Sequence, residues 1–147
     1  LAAASAAGEW SLSLALLEEM RSSELQPDVA AYSTTMSACQ RAVKPKLALK
    51  IFYSMREEDL EPDVITYGAA LAACEKGRLW KRSLSLLRAM ERTKVQGNVV
   101  TYSAAISACG KAEVWESILE LLERMDEQAV APNVVSYSSA MSGLSKA

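Results

Sequence analysis

The strongest constraint on this chain is a five-residue block that recurs every 35 residues. Each block begins with valine and carries tyrosine at its fourth position, and the four copies start at Val29, Val64, Val99 and Val134. A fixed period between about 20 and 50 residues is the sequence signature of a stacked repeat architecture. Fold and function must therefore be derived from the repeat unit. Other residues keep the same interval, namely Cys39, Cys74 and Cys109, and Met20, Met55, Met90 and Met125.

The composition permits a buried core and gives no sign of a membrane span. Half of the 147 residues are hydrophobic, and glycine and proline are scarce. No apolar run approaches the roughly 18 residues that a membrane span needs, so we expect no membrane partner. The alanine-rich start is in phase with the segment 71–77, which predicts the tail of a truncated repeat rather than a targeting peptide. Since both ends fall inside repeats, we expect a slice of a longer protein.

The three cysteines occur one per repeat and are not spaced for a metal site. Neighbouring packed helices lie about 9–10 Å apart, whereas a disulfide needs Cα atoms within about 7 Å. The chain has no histidine and no closely spaced cysteine pair, which excludes a zinc site on ligand count. We expect the cysteines to be small buried hydrophobic residues in a reducing compartment, with no metal and no cofactor.

One repeat contains two helical patterns. In the unit 64–98, an apolar segment of about 12 residues ends at Gly77-Arg78, and a second apolar stripe runs from Trp80 to Met90 at helical spacing. We interpret the recurring tryptophans and methionines as packing residues. The predicted fold class is all-α, an α-solenoid of 35-residue helix-turn-helix repeats. The predicted organisation is a partial repeat at 1–28, complete repeats at 29–63, 64–98 and 99–133, and a partial repeat at 134–147.

Two segments identify the type of helical repeat. Pro62–Tyr67 and Pro132–Tyr137, with Ala73-Cys74 and Met90 in phase, closely resemble the pentatricopeptide repeat family, and the resemblance covers essentially the whole chain. Tetratricopeptide repeats instead place Trp, a Leu-Gly pair and Tyr within the first helix. The resemblance implies a right-handed superhelix that binds single-stranded RNA with one nucleotide per repeat. It also implies a mitochondrial or chloroplast location.

The resemblance assigns roles by position in the repeat, counted from the valine as position 1. Positions 5 and 35 select the base, and position 2 sandwiches it. Ser33 with Asp63 resembles the guanine combination and Ser103 with Asn133 the adenine combination, whereas Gly68 departs from the pattern. The implied RNA is purine-leaning, 5′-G-N-A-purine-3′. The alternative for the small polar residues is ordinary helix capping. The implied base-selecting residues are Ser33, Asp63, Gly68, Asn98, Ser103, Asn133, Ser138 and Asp28, and the sandwich residues are Ala30, Ile65, Val100 and Val135.

The charge distribution supports RNA binding better than the net charge of −2 does. Position 13 is basic in each copy, and Glu75 is the one acid in the four blocks 29–41, 64–76, 99–111 and 134–146. Spaced cations along a groove are what tracking of a phosphate backbone requires. The alternative is that each cation complements a helix dipole. The predicted phosphate contacts are Arg41, Lys76, Lys111 and Lys146.

Two functions are compatible with the sequence. The first is sequence-selective single-stranded RNA binding in organellar RNA processing, stability, editing or translation. The second is a helical-repeat scaffold for protein–protein interaction without RNA binding. An enzyme has no support within these residues, because there is no histidine and no glycine-rich phosphate loop. We therefore expect no catalytic residue and no small-molecule substrate in this segment, and a catalytic domain elsewhere in the parent protein stays open.

Overall fold

The computed structural model describes residues 5–145, and within this range the chain forms eight α-helices and no strand. We call α2, α4, α6 and α8 the first helices, since each begins at the valine of the recurring block. The other four are the second helices. Within the described range, no helix is long and apolar enough to cross a membrane. The bounds are α1 Ser5–Ser22, α2 Val29–Arg41, α3 Pro45–Glu57, α4 Val64–Lys76, α5 Trp80–Arg92, α6 Val99–Lys111, α7 Trp115–Glu127 and α8 Val134–Ser145.

The chain divides into two compact units, Leu1–Ala73 and Cys74–Ala147. In the first unit, α2 packs against α1 and α3, and the Phe52 ring lies 5.3 Å from the Tyr67 ring between centroids. In the second unit, α6 packs against α5, α7 and α8. The same helical-hairpin packing therefore occurs in both units.

The residues that recur in the sequence form much of the core. Tyr32 and Tyr67 are fully buried, and Cys39, Cys74 and Cys109 are fully buried free thiols. Burial raises the pKa of Cys74 to about 11, although a hydrogen bond with Ser83 and the charge of Arg82 act in the opposite direction. Burial also raises the pKa of Cys109 to about 11. Because all three side chains are fully buried, their interpretation as small buried hydrophobic residues is confirmed.

The three tryptophans pack less completely than the sequence predicts, and of these Trp80 and Trp115 begin α5 and α7, whereas Trp10 lies within α1. Trp10 and Trp80 are half-buried, and 43% of the Trp115 side chain is exposed. Lys44 Nζ lies 5.3 Å from the centre of the Trp10 ring, which is within cation–π range. Trp80 and Trp115 lie in the first turn of their helices, at the edge of the packed face, so their rings are only partly covered.

The helices end in turns that use a left-handed residue other than glycine. Arg78 has a φ of 56° and Glu113 a φ of 60°, and each lies two residues beyond the end of a first helix. The following apolar residue closes the turn: the Leu79 N–H donates to the Cys74 carbonyl at 2.8 Å, and Val114 donates to Cys109 at 3.0 Å. This is the Schellman arrangement, in which an apolar residue after the left-handed residue satisfies a helix-terminal carbonyl.

Candidate nucleic-acid interface

The residues at position 35 cap the first helices. An Asp or Asn side chain accepts a hydrogen bond from the backbone N–H three residues later, which satisfies one of the free donors at a helix start. These hydrogen bonds therefore show the residues at position 35 acting as helix caps. In each cap the acceptor is the Oδ1 atom. The bonds run from Ala31 N to Asp28 at 2.9 Å, from Thr66 N to Asp63 at 2.8 Å, from Thr101 N to Asn98 at 3.0 Å and from Ser136 N to Asn133 at 2.9 Å.

Hydroxyl groups at position 3 reinforce three of these four caps, those of Asp63, Asn98 and Asn133. Thr66 Oγ1 donates to Asp63 Oδ1 at 2.6 Å, and Thr101 Oγ1 accepts from the Asn98 backbone N–H at 3.0 Å. Partial burial acts to raise the pKa of Asp63, but the hydrogen bonds from Thr66 outweigh it and hold the carboxyl pKa below its usual value. Asp63 is therefore an ionised, oriented acceptor at neutral pH.

The four residues at position 5 lie in different surroundings. Ser33 is half-buried and Ser138 is exposed, whereas Ser103 is only 7% exposed. A Cβ atom added at Gly68 would meet no heavy atom within 4 Å. The Ser103 and Ser136 hydroxyl oxygens lie 2.7 Å apart. The residues at position 5 therefore share a place in the repeat but differ in how much of the side chain is exposed to solvent.

Aliphatic side chains at position 2 are exposed. The exposed fraction is 66% for Ile65 and 63% for Val100, and Ala30 is also exposed. The side chain of Val135 lies outside the described residues. Exposed flat apolar groups that recur beside the helix caps are chemically suited to stack on nucleic-acid bases.

The cations at position 13 lie in the last turns of the first helices. Arg41, Lys76 and Lys111 are exposed, and Lys146 lies outside the described residues. Lys111 Nζ is 3.0 Å from Glu75 Oε1, and the Ser107 hydroxyl donates to the same oxygen at 3.0 Å. The repeat pattern did not predict this pairing. One feature of the sequence could have indicated it, because Glu75 is the one acid in the four blocks in which position 13 is basic.

A polar groove brings two of the predicted site residues together. It has a volume of about 250 Å³ and lies between α6 and α8. Its lining combines a predicted base-selecting residue, a predicted phosphate contact and further small groups, so hydroxyl donors and a cation share one surface. No group of three or more potential metal-ligating side chains occurs in the described part of the chain. The lining residues are Ser107, Gly110, Lys111, Ser138, Ser139 and Ser142.

The sequence profile of the pentatricopeptide repeat domain matches residues 15–76 and 85–146. The chain belongs to the pentatricopeptide repeat family. No curated protein sequence matches the chain significantly.

Solved structures of the family match the same architecture. Pentatricopeptide repeat protein PPR10 in complex with an 18-nt psaJ RNA element matches with a TM-score of 0.78 and 30% identity, over 95% of this chain and 21% of that chain. A second crystal structure, of PPR10 from maize, matches with a TM-score of 0.74 and 27% identity, over 92% of this chain and 19% of that chain. The chain thus spans about a fifth of the length of PPR10.

A more distant pentatricopeptide repeat structure shares the fold alone. The PPR domain of Arabidopsis thaliana protein-only RNase P 1, in complex with tRNA, matches with a TM-score of 0.86 and 16% identity, over 95% of this chain and 74% of that domain. The match is with the repeat domain of that protein. Together these matches confirm the predicted all-α fold class, an α-solenoid of helical hairpins.

Proposed function

We propose that this chain is a sequence-selective segment for binding single-stranded RNA, with one base per repeat in the phase 29–63, 64–98 and 99–133. The observation that supports this most is the exposure of Ile65 and Val100 at 66% and 63%. Both side chains follow a capped helix start, so an apolar stacking surface lies next to oriented polar atoms. RNA bases are recognised in this way, by stacking on their faces and hydrogen bonds to their edges.

The mechanism is passive occupancy of RNA. A bound segment blocks nucleases, remodels RNA structure or delivers an appended domain, which fits processing, stability, editing or translation in mitochondria or chloroplasts. PPR10, whose structure holds an RNA element, is the relative that motivates extending RNA binding to this chain. The proposed target is 5′-G-N-A-purine-3′, as the pairs at positions 5 and 35 imply.

The affinity of this segment alone is expected to be low. Stacking contributes about 1–3 kcal/mol per base, and association itself costs several kcal/mol in lost translational and rotational freedom. Three repeats therefore support a dissociation constant in the micromolar range or weaker. Binding falls as salt rises, because phosphate contacts release counterions from the RNA.

A protein-interaction scaffold is the second candidate, and two observations favour it. Ser103 is only 7% exposed, so its hydroxyl offers a base little accessible surface. Glu75 pairs with Lys111, which reduces the positive potential of the first-helix face. In this candidate the same face contacts a protein instead of RNA.

Charge reversal separates the two candidates. The variant combines Arg41→Glu, Lys76→Glu, Lys111→Glu and Lys146→Glu, and the readout is fluorescence anisotropy of a labelled purine RNA. We expect binding to collapse, because the phosphate contacts become repulsive. A matched control reverses four exposed cations on the second helices, Lys46, Lys50, Arg88 and Arg92. Equal affinity of a folded first-helix variant and the control contradicts RNA binding by this face.

A further inference from the structure

The second helices α5 and α7 carry opposite charges at equivalent places in the repeat. Cations at three positions of α5 are replaced by acids at the same positions of α7, one repeat later. All of these side chains are exposed. One repeat pattern therefore produces two neighbouring surfaces of opposite sign. The equivalent residues are Lys81 and Glu116, Arg88 and Glu123, and Arg92 and Glu127.

Each set of charges forms a stripe along one side of its helix. Residues separated by alternating intervals of four and three positions lie on the same side of an α-helix. One exposed residue of each helix completes its stripe, a serine on α5 and a further glutamate on α7. The basic stripe thus contains no acid and the acidic stripe no cation. The basic stripe comprises Lys81, Ser85, Arg88 and Arg92, and the acidic stripe comprises Glu116, Glu120, Glu123 and Glu127.

The charges of the two stripes are not neutralised inside the described part of the chain. An ion pair does connect α5 with α7, but it joins Glu91 to Arg124, and neither residue belongs to a stripe. Among residues 5–145, no ion pair involves a stripe residue. Complementary potentials attract a partner and determine its register. The stripes are therefore available to a partner that carries the opposite arrangement of charges.

The chain itself carries that arrangement in the correct register. Both α5 and α7 pack against α6, and the short connections 93–98 and 112–114 make each of them antiparallel to it. The two second helices therefore run in the same direction. A two-fold axis parallel to them places α5 of one copy opposite α7 of the other, so that each cation faces the acid at its own repeat position. Because such an interface is isologous, both contacts form together.

We propose that the two stripes form a self-association surface, on which a second copy of this chain docks with α5 against α7 and α7 against α5. The charges select this occupant, because the surface requires an acidic and a basic stripe side by side and the chain provides both. A depression of about 590 Å³ lined by Ser85, Arg88, Glu91 and Arg92 gives acidic side chains of the second copy room beside the basic stripe. The inference is independent of the proposed RNA-binding residues, which lie on the first helices and at their starts.

The association is expected to be weak and sensitive to salt. Exposed ion pairs each contribute little, and the range of their attraction falls from about 30 Å at 0.01 M salt to about 3 Å at 1 M. Sedimentation velocity of the nuclease-treated 147-residue chain, at a concentration on the order of 100 μM, is expected to show dimer at the lower salt and monomer at the higher. A monomer at both salts overturns the inference. A dimer that is lost on nuclease treatment identifies RNA as the bridge and overturns it as well.

Reversal of one stripe at a time tests the pairing. Each single-stripe variant is expected to be monomeric, because its two stripes then have the same sign. An equimolar mixture of the two variants is expected to form a heterodimer, and a variant that combines all the substitutions is expected to regain the dimer, since both restore opposite signs. The first variant combines Lys81→Glu, Arg88→Glu and Arg92→Glu, and the second combines Glu116→Lys, Glu123→Lys and Glu127→Lys.

A matched control separates the stripes from net charge. Lys46→Glu, Lys50→Glu and Arg56→Glu reverse three exposed cations on α3 and change the net charge as much as the α5 variant does. This control is expected to keep the dimer at the lower salt, and equal loss in the control and the α5 variant overturns the pairing. A combined variant that is folded by circular dichroism but monomeric also overturns it, since its net charge equals that of the wild type. RNA affinity does not enter these results, so the two proposals fail separately.

Discussion

Glu75 Oε1 lies 3.0 Å from Lys111 Nζ, so the one acid of the first-helix blocks is paired with a predicted phosphate contact. The same oxygen accepts from the Ser107 hydroxyl, and Ser107 and Lys111 both line the groove between α6 and α8. Exposed ion pairs contribute only about 0–1 kcal/mol to stability. The pairing therefore has more consequence for the charge of the groove than for the fold.

Replacing Glu75 with glutamine is predicted to tighten RNA binding severalfold. The substitution removes a negative charge that competes with phosphate for Lys111, while the amide oxygen still accepts from Ser107. The slope of log affinity against log salt is expected to steepen by about 0.7, the value for one further phosphate contact on a single strand. Anisotropy across a salt series measures this slope.

The control for this prediction is Glu123→Gln, which removes an exposed charge from a second helix. Equal gains in RNA affinity in both variants would show a general charge effect and contradict a specific role for the pairing of Glu75 with Lys111.

Gly68→Ser is predicted to give the repeat 64–98 a base preference. A Cβ atom at this position meets nothing within 4 Å, so the side chain fits without a clash. Serine with Asn98 reproduces the combination of Ser103 with Asn133. We expect adenine at the second base to gain about two- to tenfold over guanine, as for one net hydrogen bond. Gly68→Ala adds the Cβ without the hydroxyl, and the prediction fails if both variants discriminate equally.

Two glycines are predicted to respond to alanine in opposite directions. A Cβ at Gly143 would lie 2.8 Å from the Gly110 Cα and 2.5 Å from the Ile118 Cδ1, so α6 and α8 would have to move apart and the Ile118 side chain would have to rotate away. We expect Gly143→Ala to lower the free energy of unfolding by about 1–3 kcal/mol. Gly68→Ala places alanine in open space within a helix and is expected to raise it by about 0.5–1 kcal/mol. Urea unfolding of both variants and the wild type measures the two changes in the free energy of unfolding. A lower free energy for Gly68→Ala would contradict the absence of neighbours around a Cβ at this position.

Asp63 is predicted to make a contribution to stability that is complete above about pH 4 and declines progressively as the pH falls below it. Its pKa is lowered in the folded chain, so the folded state binds its proton less readily than the unfolded state. The resulting stability is fully present above the unfolded pKa of about 3.9 and is lost as pH falls through the folded pKa. Asp63→Asn keeps a cap that does not titrate. Below about pH 4, the melting temperature of the wild type is expected to fall relative to that of Asp63→Asn. A difference between the two melting temperatures that stays constant with pH would contradict the capping role.

The periodic features of the sequence predicted the fold because they are local. The valine blocks mark helix starts, and Asp63 and Asn98 cap them through bonds to residues three positions away. The buried cysteines follow from apolar spacing on the same helices. The choice of Arg78 and Glu113 as the left-handed residues was less predictable, since neither is glycine, the residue that usually adopts this conformation.

The sequence predicted which residue types occupy the candidate site, but it predicted their burial and hydrogen-bond partners less well. The small polar residues at position 5 look alike in the sequence, but the buried Ser103 hydroxyl is hydrogen-bonded to that of Ser136, which lies 33 residues away. The pairing of Glu75 with Lys111 joins residues 36 positions apart. Such contacts depend on how neighbouring hairpins pack, which one repeat pattern does not specify.

The most direct test of the central claim is anisotropy of short labelled RNAs with the wild-type chain at low and moderate salt. It compares a repeated G-A-A-A tract with U-rich and scrambled controls, using a sample shown to be folded and monomeric. We predict tighter binding to the purine tract, weakened by salt. Absence of binding to any RNA at low salt would contradict RNA recognition and favour the protein scaffold.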